Sequence, residues 1–483
     1  MARKPKPRLD LKDPKNATVV KLAEQVRAEV RKRYGTDLTY EQRRDASAEV
    51  MADVLWADGD SDLKELVTND DEVEIDGRRY RKLEQPSSAV YYGRWGPHEM
   101  EEPLYREIGV HNGPTIKPIE RRVGIVTRRM TPDLARIVGE LGADGNSREI
   151  EKTLRIIGMV APSRSFLEKH LQQMAGELAE QVEELEAEAR ALESLPEEVA
   201  SVSCGMDRMA VRMSEPHSDP DNAPEPRRTE PYERKAPEPR EHNWRMAWVG
   251  TATAYNDRGE ALRTWRYAAE ADSDPNVLAR RVSVDVAHLV NPRPAIAVHC
   301  VQDGAKELRI LPETLRSVLP SNTSVRELVD FNHLVGYLDD VVDACEPAGD
   351  PVDMKGWYRS ELLRDDRAID RIWRNLRRKA KTLPRDGAPT QREAVAAALS
   401  YIRKRKNKMR YASLYAAKLT IGSGATEGTC GLMQLRVKRR GQSWEKPGLR
   451  GILTVRGLAL SERWDAAWAI YAAKHRGDVR KAA

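Results

Sequence analysis

The spacing of apolar residues in the first part of the chain changes from a helical to a strand-like period and back. Apolar residues recur every three or four positions in 19–35 and 40–57, which predicts two helices joined by a turn. From 71 to 128 the pattern is strand-like, with an Asp-Gly hairpin tip near its start and a strand over 121–127 near its end. Three short helical patterns follow in 131–171, each opened by Thr or Ser, as in a helix-turn-helix unit.

Residues 165–195 form one long, charged helical pattern with its apolar residues on a single stripe. This helix could form a seam with a second copy of the chain, act as a spacer arm, or pack on its own domain, and so few heptads do not decide between these. The residues of the stripe are Leu167, Leu171, Leu178, Val182, Leu185 and Leu192.

At Glu198 the period changes to that of strands. An extended run is followed by a Pro-rich, polar stretch at 214–243, which predicts an exposed insertion or flexible loop. The predicted order is three strands, then helix, strand, helix, strand and helix, then a basic helical insertion and a last helix. Three antiparallel strands followed by alternating helices and strands predict a mixed sheet with helices on its faces, in the order of the ribonuclease H-like fold.

Charge is unevenly distributed along the chain, and this indicates the kind of partner. The 483 residues include 81 Lys and Arg against 76 Asp and Glu, a net charge of +5. Acidic residues crowd 180–198, whereas 371–410 is strongly basic. Such segregation favours a polyanion such as DNA as the partner of the basic part.

Cysteine usage and hydropathy indicate the compartment. The cysteines lie far apart with no paired spacing, which argues against a disulfide framework or a zinc knuckle and favours a reducing cytoplasm. No run approaches the roughly 18 apolar residues of a membrane span, and the N-terminus lacks an apolar signal core. We therefore expect a soluble, cytoplasmic protein with no membrane partner. The cysteines are Cys204, Cys300, Cys345 and Cys430.

These patterns predict an α/β protein. A mainly helical DNA-binding region precedes a ribonuclease H-like, mixed-sheet catalytic core that a helical insertion interrupts. The predicted regions are an N-terminal helical and strand-rich DNA-binding region (1–128), a helix-turn-helix-like unit with the long helix (129–196), the first part of the core (197–345), the basic helical insertion (346–415), and the last part of the core with C-terminal helices (416–475).

Three acidic residues occupy positions that converge at one end of the sheet in this fold order. Asp207 lies on the first strand, Asp303 just past the fourth, and Glu427 on the last helix. Phosphodiester cleavage needs an activated water or 3′ hydroxyl and a leaving oxygen relieved of charge, which two Mg²⁺ ions roughly 4 Å apart can provide. Because Mg²⁺ prefers carboxylate oxygens, we predict that these three residues are catalytic and bind two magnesium or manganese ions, with Asp207 bridging them.

The sequence around Glu427 combines small and basic residues. Gly422, Ser423 and Gly424 would let the helix start approach a metal site and a DNA phosphate closely, with Ser423 as a candidate cap. Basic residues farther along this helix, and others in the insertion, are predicted to contact the DNA backbone. They are Arg436, Lys438, Arg439 and Arg440, and in the insertion Arg403, Lys404, Arg405 and Lys406.

Four motifs in this order resemble those of bacterial insertion-sequence DDE transposases of the ISKra group, in the Mutator-like superfamily. They are SVSCGMDRMAVRMSE around Asp207, VQDGAKEL around Asp303, DFNHLVGYL, and GSGATEGTCGLMQLRVKRRGQSW followed by GLRGILTVRGLALSERWDAAW. The third fits the D-x-x-H motif of that superfamily. The resemblance covers about 201–468, and the family's cysteine-bearing zinc ribbon has no counterpart in residues 1–200, which contain no cysteine.

The resemblance implies magnesium-dependent transposition of a mobile genetic element. Its expected partners are double-stranded DNA, as terminal inverted repeats and target DNA, and further copies of the chain in a homodimer or larger assembly on DNA. By the same match, Asp330 and His333 are expected to be structural or adjacent to the active site rather than primary ligands. The expected location is the nucleoid of a bacterial cytoplasm.

Simpler interpretations of each feature stay open. A single Asp after a strand is common in turns, a Glu in the first turn of a helix interacts well with the helix dipole, and a His near a helix start often caps it. The basic runs could be solvated helix faces. Alternative functions are a DNA-binding regulator or a ribonuclease H-like nuclease descended from a transposase, whereas the absence of a G-x-x-x-x-G-K-[ST] motif argues against a phosphate-loop ATPase.

Overall fold

The chain folds into two compact units. One unit comprises 1–174 and 468–483, and the other comprises 175–467. Residues 220–238, most of the stretch predicted as a Pro-rich loop, lie outside the described residues, but its two ends extend the flanking strands, since Pro216 pairs with Arg240. A computed structural model describes residues 12–219, 239–293, 295–346, 353–383 and 389–482.

The first unit combines helices with a five-stranded antiparallel sheet of order β10-β1-β2-β3-β4. The two N-terminal helices and the Asp-Gly hairpin are confirmed, whereas the return of the last strand to the edge of this sheet was not predicted. The strands are β1 (Glu72–Ile75), β2 (Arg78–Gly93), β3 (Gly96–Glu107), β4 (Thr115–Ile116) and β10 (Val479–Lys481). The helices are α1 (Ala17–Tyr34), α2 (Tyr40–Glu65), α3 (Pro118–Val123), α4 (Pro132–Asp144), α5 (Ser147–Ile156) and the first part of α6 (Arg164–Glu180).

The prediction of a strand over 121–127 was wrong. Pro118 opens a short helix there, and Gly124 ends it with a φ of +79°, a left-handed conformation that glycine adopts easily. Ile125 and Val126 are both buried rather than alternately exposed, because they lie in a turn bridged to Met130.

The three helices predicted after residue 130 are confirmed as α4, α5 and α6. The short turn before α5 places Asn146, not Ser147, at the N-cap, where its side chain accepts backbone bonds and Glu149 bonds back to the Asn146 N–H at 2.8 Å. Leu171 of α6 packs so closely on Gly142 of α4 that a Cβ at Gly142 would lie 2.7 Å from its Cδ1. A DNA-binding role for these helices stays a prediction.

The long helix predicted over 165–195 is broken in two. It ends at Glu180, and α7 (Val182–Leu192) begins after Gln181. Leu167, Leu178 and Leu185 are fully buried within the chain, so most of the apolar stripe packs on the protein's own core. The interpretation of this stripe as a seam between two copies is therefore wrong, while self-association by another surface stays untested.

The second unit contains a mixed five-stranded sheet of order β7-β6-β5-β8-β9, in which β5, β6 and β7 are antiparallel and β8 and β9 run parallel to β5. The predicted α/β class and element order are confirmed. The strands are β5 (Ser201–Pro216), β6 (Arg240–Tyr255), β7 (Ala261–Ala269), β8 (Ala297–Gln302) and β9 (Val325–Val329). The helices are α8 (Pro275–Val290), α9 (Ile310–Val318), α10 (Phe331–Cys345), α11 (Met354–Arg364), α12 (Ala368–Thr382), α13 (Pro389–Arg405), α14 (Ala412–Ala416), α15 (Gly424–Val437), α16 (Lys446–Leu460) and α17 (Trp464–His475), which continues into the first unit.

Helices cover both faces of this sheet. Successive strand residues point to opposite faces, and on β6 a Cβ at Gly250 would contact Leu278 and Val282 of α8, whereas Thr251 bonds Thr426 of α15 at 2.7 Å. The helices α10 to α14 build a separate apolar core against the ends of β8 and β9. The insertion is thus packed directly beside the edge where Asp303 emerges.

A buried ion network stabilises the side of the sheet opposite α15. The guanidinium of Arg463, 2 % exposed, donates to both carboxylate oxygens of Asp285 at 2.8 and 2.9 Å and to those of Glu193 at 2.8 and 3.0 Å. Tyr267 and Arg190 also bond Asp285. Since these charges are away from water, each depends on the others for compensation.

Replacing Arg463 with Met tests this network. Two carboxylates would lose their main cation, so we expect the free energy of unfolding to fall by about 3 to 5 kcal/mol, measured by urea denaturation. The control is Arg280→Met, which breaks an exposed pair with Glu183 (2.7 Å) and should cost less than about 1 kcal/mol. Equal losses in the two variants would contradict the role of burial.

Candidate active site

The three predicted acidic residues line one cavity at the end of the mixed sheet. Asp207, Asp303 and Glu427 border a space of about 300 Å³ together with His333 and Ser423. Among the described residues that line this cavity, none is Lys or Arg. The structure therefore gathers three carboxylates, remote in sequence, around a space that the protein itself does not neutralise.

Asp207 lies in the middle of β5 on the face that α15 covers. Its Oδ1 accepts the Arg208 backbone N–H at 2.7 Å, and the Cys430 thiol donates to its Oδ2 at 3.6 Å, a long contact for a weak donor. Burial raises the pKa of the Asp207 carboxyl above its ordinary value, and the charges of Asp303 and Glu427 raise this pKa further. The pKa of Cys430 is raised to about 12, chiefly by burial, so its thiol stays protonated as a donor at neutral pH.

Asp303 lies in the turn after β8, and helix α13 of the insertion forms hydrogen bonds to the backbone of this turn. Its Oδ1 accepts the Ala305 N–H at 2.7 Å, which fixes the side chain to its own turn. The Tyr401 hydroxyl donates to the Asp303 carbonyl, and Arg405 Nε donates to the Gly304 carbonyl, both at 2.8 Å. Helix α13 is thereby tied to the backbone that presents Asp303.

Glu427 lies in the first turn of α15, and its carboxylate is oriented by Ser423. The Ser423 hydroxyl donates to Glu427 Oε1 at 2.7 Å. Ser423 is the N-cap residue, as predicted, but its side chain makes no bond to the helix backbone. The small residue at this helix start therefore serves the glutamate rather than the backbone donors.

Asp330 and His333 lie in different environments. Asp330 is fully buried, accepts the His333 N–H at 2.6 Å as the N-cap of α10, and also accepts the Ser423 N–H, so it joins α10 to the start of α15. His333 is exposed and lines the carboxylate cavity. Asp330 is thus a structural anchor, and His333 borders the site.

Helix α15 approaches the sheet closely because β5 carries a glycine. A Cβ at Gly205 would lie 2.6 Å from Thr426 Oγ1 and 2.7 Å from the Val301 carbonyl oxygen, and the carbonyl belongs to rigid backbone. Thr426 is adjacent to Glu427, so this glycine sets how near the glutamate comes to Asp207. Sequence reasoning missed Gly205, although it lies two residues before Asp207 on the same face of the strand.

The basic residues predicted to contact DNA do not share one environment. Arg436 is buried, with its guanidinium 5.2 Å from the Trp444 ring centre, and α15 ends at Val437, so the expectation that all four basic residues lie along this helix was wrong. Arg405 points inward onto the turn after Asp303. The others are exposed or at the surface edge: Arg403, Lys404 and Arg440 are exposed, Lys438 is exposed beside Trp244, Arg439 bonds the Leu435 carbonyl, and Lys406 pairs with Asp370.

The chemistry of the cavity fits a hard divalent cation in an open site. Within the described ranges, no group of three or more His, Cys, Asp or Glu side chains could hold a metal ion as the side chains stand, so the three carboxylates do not form a ready-made metal site. Three carboxylates around a 300 Å³ space nevertheless match Mg²⁺ or Mn²⁺, which prefer oxygen ligands and which, for Mg²⁺, keep several waters. Burial is the main cause of the raised pKa of Asp207, and the charges of Asp303 and Glu427 add to it; a bound cation would offset both effects.

No family model matches this chain, and no curated protein sequence matches it. Of the described helices, none is both long and apolar enough to cross a lipid bilayer.

Gly205→Ala tests the close approach of α15. The new Cβ would meet a backbone carbonyl, so we expect a loss of about 1 to 3 kcal/mol in the free energy of unfolding, measured by urea denaturation. The matched control is Gly428→Ala on the same helix, where a Cβ meets nothing within 4 Å and the better helix propensity should leave stability unchanged or raise it. A neutral Gly205→Ala would contradict the close contact.

Asp207→Asn should stabilise the metal-free chain at neutral pH. Because the pKa of Asp207 is raised in the folded state, ionising this carboxyl costs stability above that pKa, and the amide avoids the cost. The urea midpoint of the variant should therefore exceed that of the unchanged chain at pH 7, with the difference shrinking as pH falls and Asp207 becomes protonated. The exposed turn residue Asp257 provides the control, Asp257→Asn, and an equal effect there would contradict this account.

Proposed function

We propose that this protein is a DDE transposase that binds the terminal inverted repeats of a mobile element and cleaves and joins DNA strands. The observation that carries the proposal is the single cavity bordered by Asp207, Asp303 and Glu427, which come from a strand, a turn and a helix far apart in sequence. The resemblance of the motifs around these residues to ISKra-group transposases points to the same chemistry. We infer that it acts in a bacterial cytoplasm, at the nucleoid.

The order and direction of the strands support a ribonuclease H-like core. Three antiparallel strands with two further strands parallel to the first, in the order β7-β6-β5-β8-β9, are what that fold requires. The positions of Asp207 on the first of these strands and Asp303 after the fourth also suit it. The helices α11 to α14 would then be the insertion between Asp303 and Glu427.

Asp207, Asp303 and Glu427 would hold divalent cations, with magnesium or manganese as the expected ions. Bound there, the cations would supply positive charge to the attacking and leaving oxygens of a phosphodiester. The protein's own part is orientation: the Arg208 and Ala305 N–H groups and the Ser423 hydroxyl each fix one carboxylate oxygen. These bonds orient the carboxylates, which would still have to move closer together to share cations, since no described group of three such side chains could hold a metal ion as it stands.

Exposed basic residues on or after the helices that reach the cavity suit the DNA backbone. Arg403 and Lys404 lie in the last turn of α13, and Arg405, the final residue of this helix, bonds the turn that contains Asp303. Lys438 and Arg440 follow the end of α15, the helix of Glu427. We assign DNA contact to these four residues, since Arg436 is buried. Cations at these places would align phosphates with the carboxylates.

The test uses a supercoiled plasmid that carries the DNA flanking the coding region, with Mg²⁺ and with Ca²⁺. We expect strand cleavage and joining with Mg²⁺, and a fall of more than about 100-fold in Asp207→Asn, Asp303→Asn or Glu427→Gln, since even residues that only support metal ligands are worth about 10- to 100-fold. DNA affinity should change only a few-fold, because the basic surface remains. The control is Asp340→Asn, an exposed carboxylate lining a neighbouring cavity, which should retain activity.

The products separate the candidate functions. Joined strands support a transposase, cleavage without joining on paired ends supports a nuclease, and DNA binding with no metal-dependent cleavage supports a regulator. Full activity in all three carboxylate variants would contradict the proposed active site.

A further inference from the structure

A second cavity adjoins the carboxylate site and has aromatic walls. It encloses about 330 Å³ and shares Asp303 and His333 with the first cavity. Its other walls come from Tyr337 on α10 and from Tyr401 and Arg405 on α13. One side of this space is therefore acidic and the other side is aromatic and cationic.

The aromatic wall is a stack of flat groups held in place by hydrogen bonds. The rings of Tyr337 and Tyr401 lie 4.3 Å apart at an interplanar angle of 25°, and the Arg405 guanidinium lies 4.4 Å from the Tyr401 ring centre. His333 lies 6.1 Å from both tyrosine rings. Because Tyr401 and Arg405 also bond the carbonyls of Asp303 and Gly304, the stack and the carboxylate turn form one rigid assembly.

The second cavity is open to solvent along part of its lining. Tyr401 is 7 % exposed, but His333 is exposed and Tyr337 partly so, and residues 397 and 400 of α13, which also line the cavity, are exposed. Planar rings and a guanidinium beside an open space form the type of surface on which nucleobases stack. The carboxylates of the first cavity would repel a phosphate unless a cation is bound there. The base of a nucleotide would therefore occupy the aromatic cavity, and its phosphate would lie in the carboxylate cavity with the cation.

We propose that this aromatic cavity binds an unstacked nucleobase next to the phosphate that the carboxylate site would cleave. The inference rests on the proposed function and adds a specific contact: His333, Tyr337, Tyr401 and Arg405 receive the base while Asp207, Asp303 and Glu427 face its phosphate. A base inside a duplex cannot reach such a wall, so the nucleotide has to leave the stack. Binding there would fix the position of the scissile bond relative to the carboxylates.

The test fills the cavity without touching the apolar core. Ala397→Leu adds bulk at an exposed lining position of α13, and Ala396→Leu makes the same change at an exposed neighbouring position outside the cavity. The probe is a short, fluorescently labelled oligodeoxythymidine containing 5-iodouracil, bound to the full chain. Affinity is measured by fluorescence anisotropy, and crosslinks formed under ultraviolet light are located by mass spectrometry.

We expect crosslinks at Tyr337, Tyr401 or His333 in the unchanged chain. Ala397→Leu should lose them and bind the probe roughly 5- to 150-fold more weakly, the value of one stacked base. Ala396→Leu should behave like the unchanged chain. Tyr337→Leu should also lose the crosslinks and serves as a second variant if Ala397→Leu does not fold.

Equal affinity and equal crosslinks in Ala397→Leu and Ala396→Leu would overturn the base-binding cavity. Cleavage and joining of plasmid strands by the unchanged chain would still support the proposed transposase in that case. If the unchanged chain binds neither the oligonucleotide nor the plasmid, both proposals fail.

Discussion

Three carboxylates around one cavity repel one another, and the second unit is built to hold them there. No lining Lys or Arg among the described residues offsets their charge, and the pKa of Asp207 is raised by burial and by the charges of the other two. Unpaired charges of one sign are costly when they are partly removed from water, so natural proteins retain them at functional sites. In the proposed function a divalent cation compensates this charge, and the fold presents the oxygen ligands to it.

The rigid parts of the fold supply that presentation. Antiparallel pairing with β6 places Asp207 opposite Val249, three residues beyond the point where the parallel pairing of β5 with β8 ends. Gly205 lets α15 approach, Asp330 ties the start of α15 to α10, and Tyr401 ties α13 to the turn of Asp303. Asp207 and Asp303 are thus each held by a backbone N–H, and Glu427 by the partly exposed hydroxyl of Ser423. The contacts of Tyr401 also place an aromatic wall beside Asp303.

Much of this architecture could be predicted from the sequence, because the spacing of apolar residues shows which face of a helix or strand is buried. Most strands and helices followed from local patterns, as did the places of Asp207 on a strand, Asp303 after a strand and Glu427 on a helix, whereas the strand expected over 121–127 did not form. Other features could not be predicted, since each depends on contacts between residues distant in sequence. They are the helix break after Glu180, the side chains of Arg405 and Arg436 pointing into the protein, and the pairing of β10 with β1. A basic residue in a charged run carries no local sign that its guanidinium is buried against an aromatic ring. The ligand role of the three acids and the DNA-binding role of the exposed cations stay predictions.

The most direct measurement is the binding of Mn²⁺ to the full chain, followed by electron paramagnetic resonance of the free ion. Binding that is displaced by Mg²⁺, and that is weakened by each of Asp207→Asn, Asp303→Asn and Glu427→Gln but not by Asp257→Asn, is the result predicted here. Mn²⁺ binding that is absent with and without DNA, or that survives the combined loss of all three carboxylates, would contradict the shared cation site.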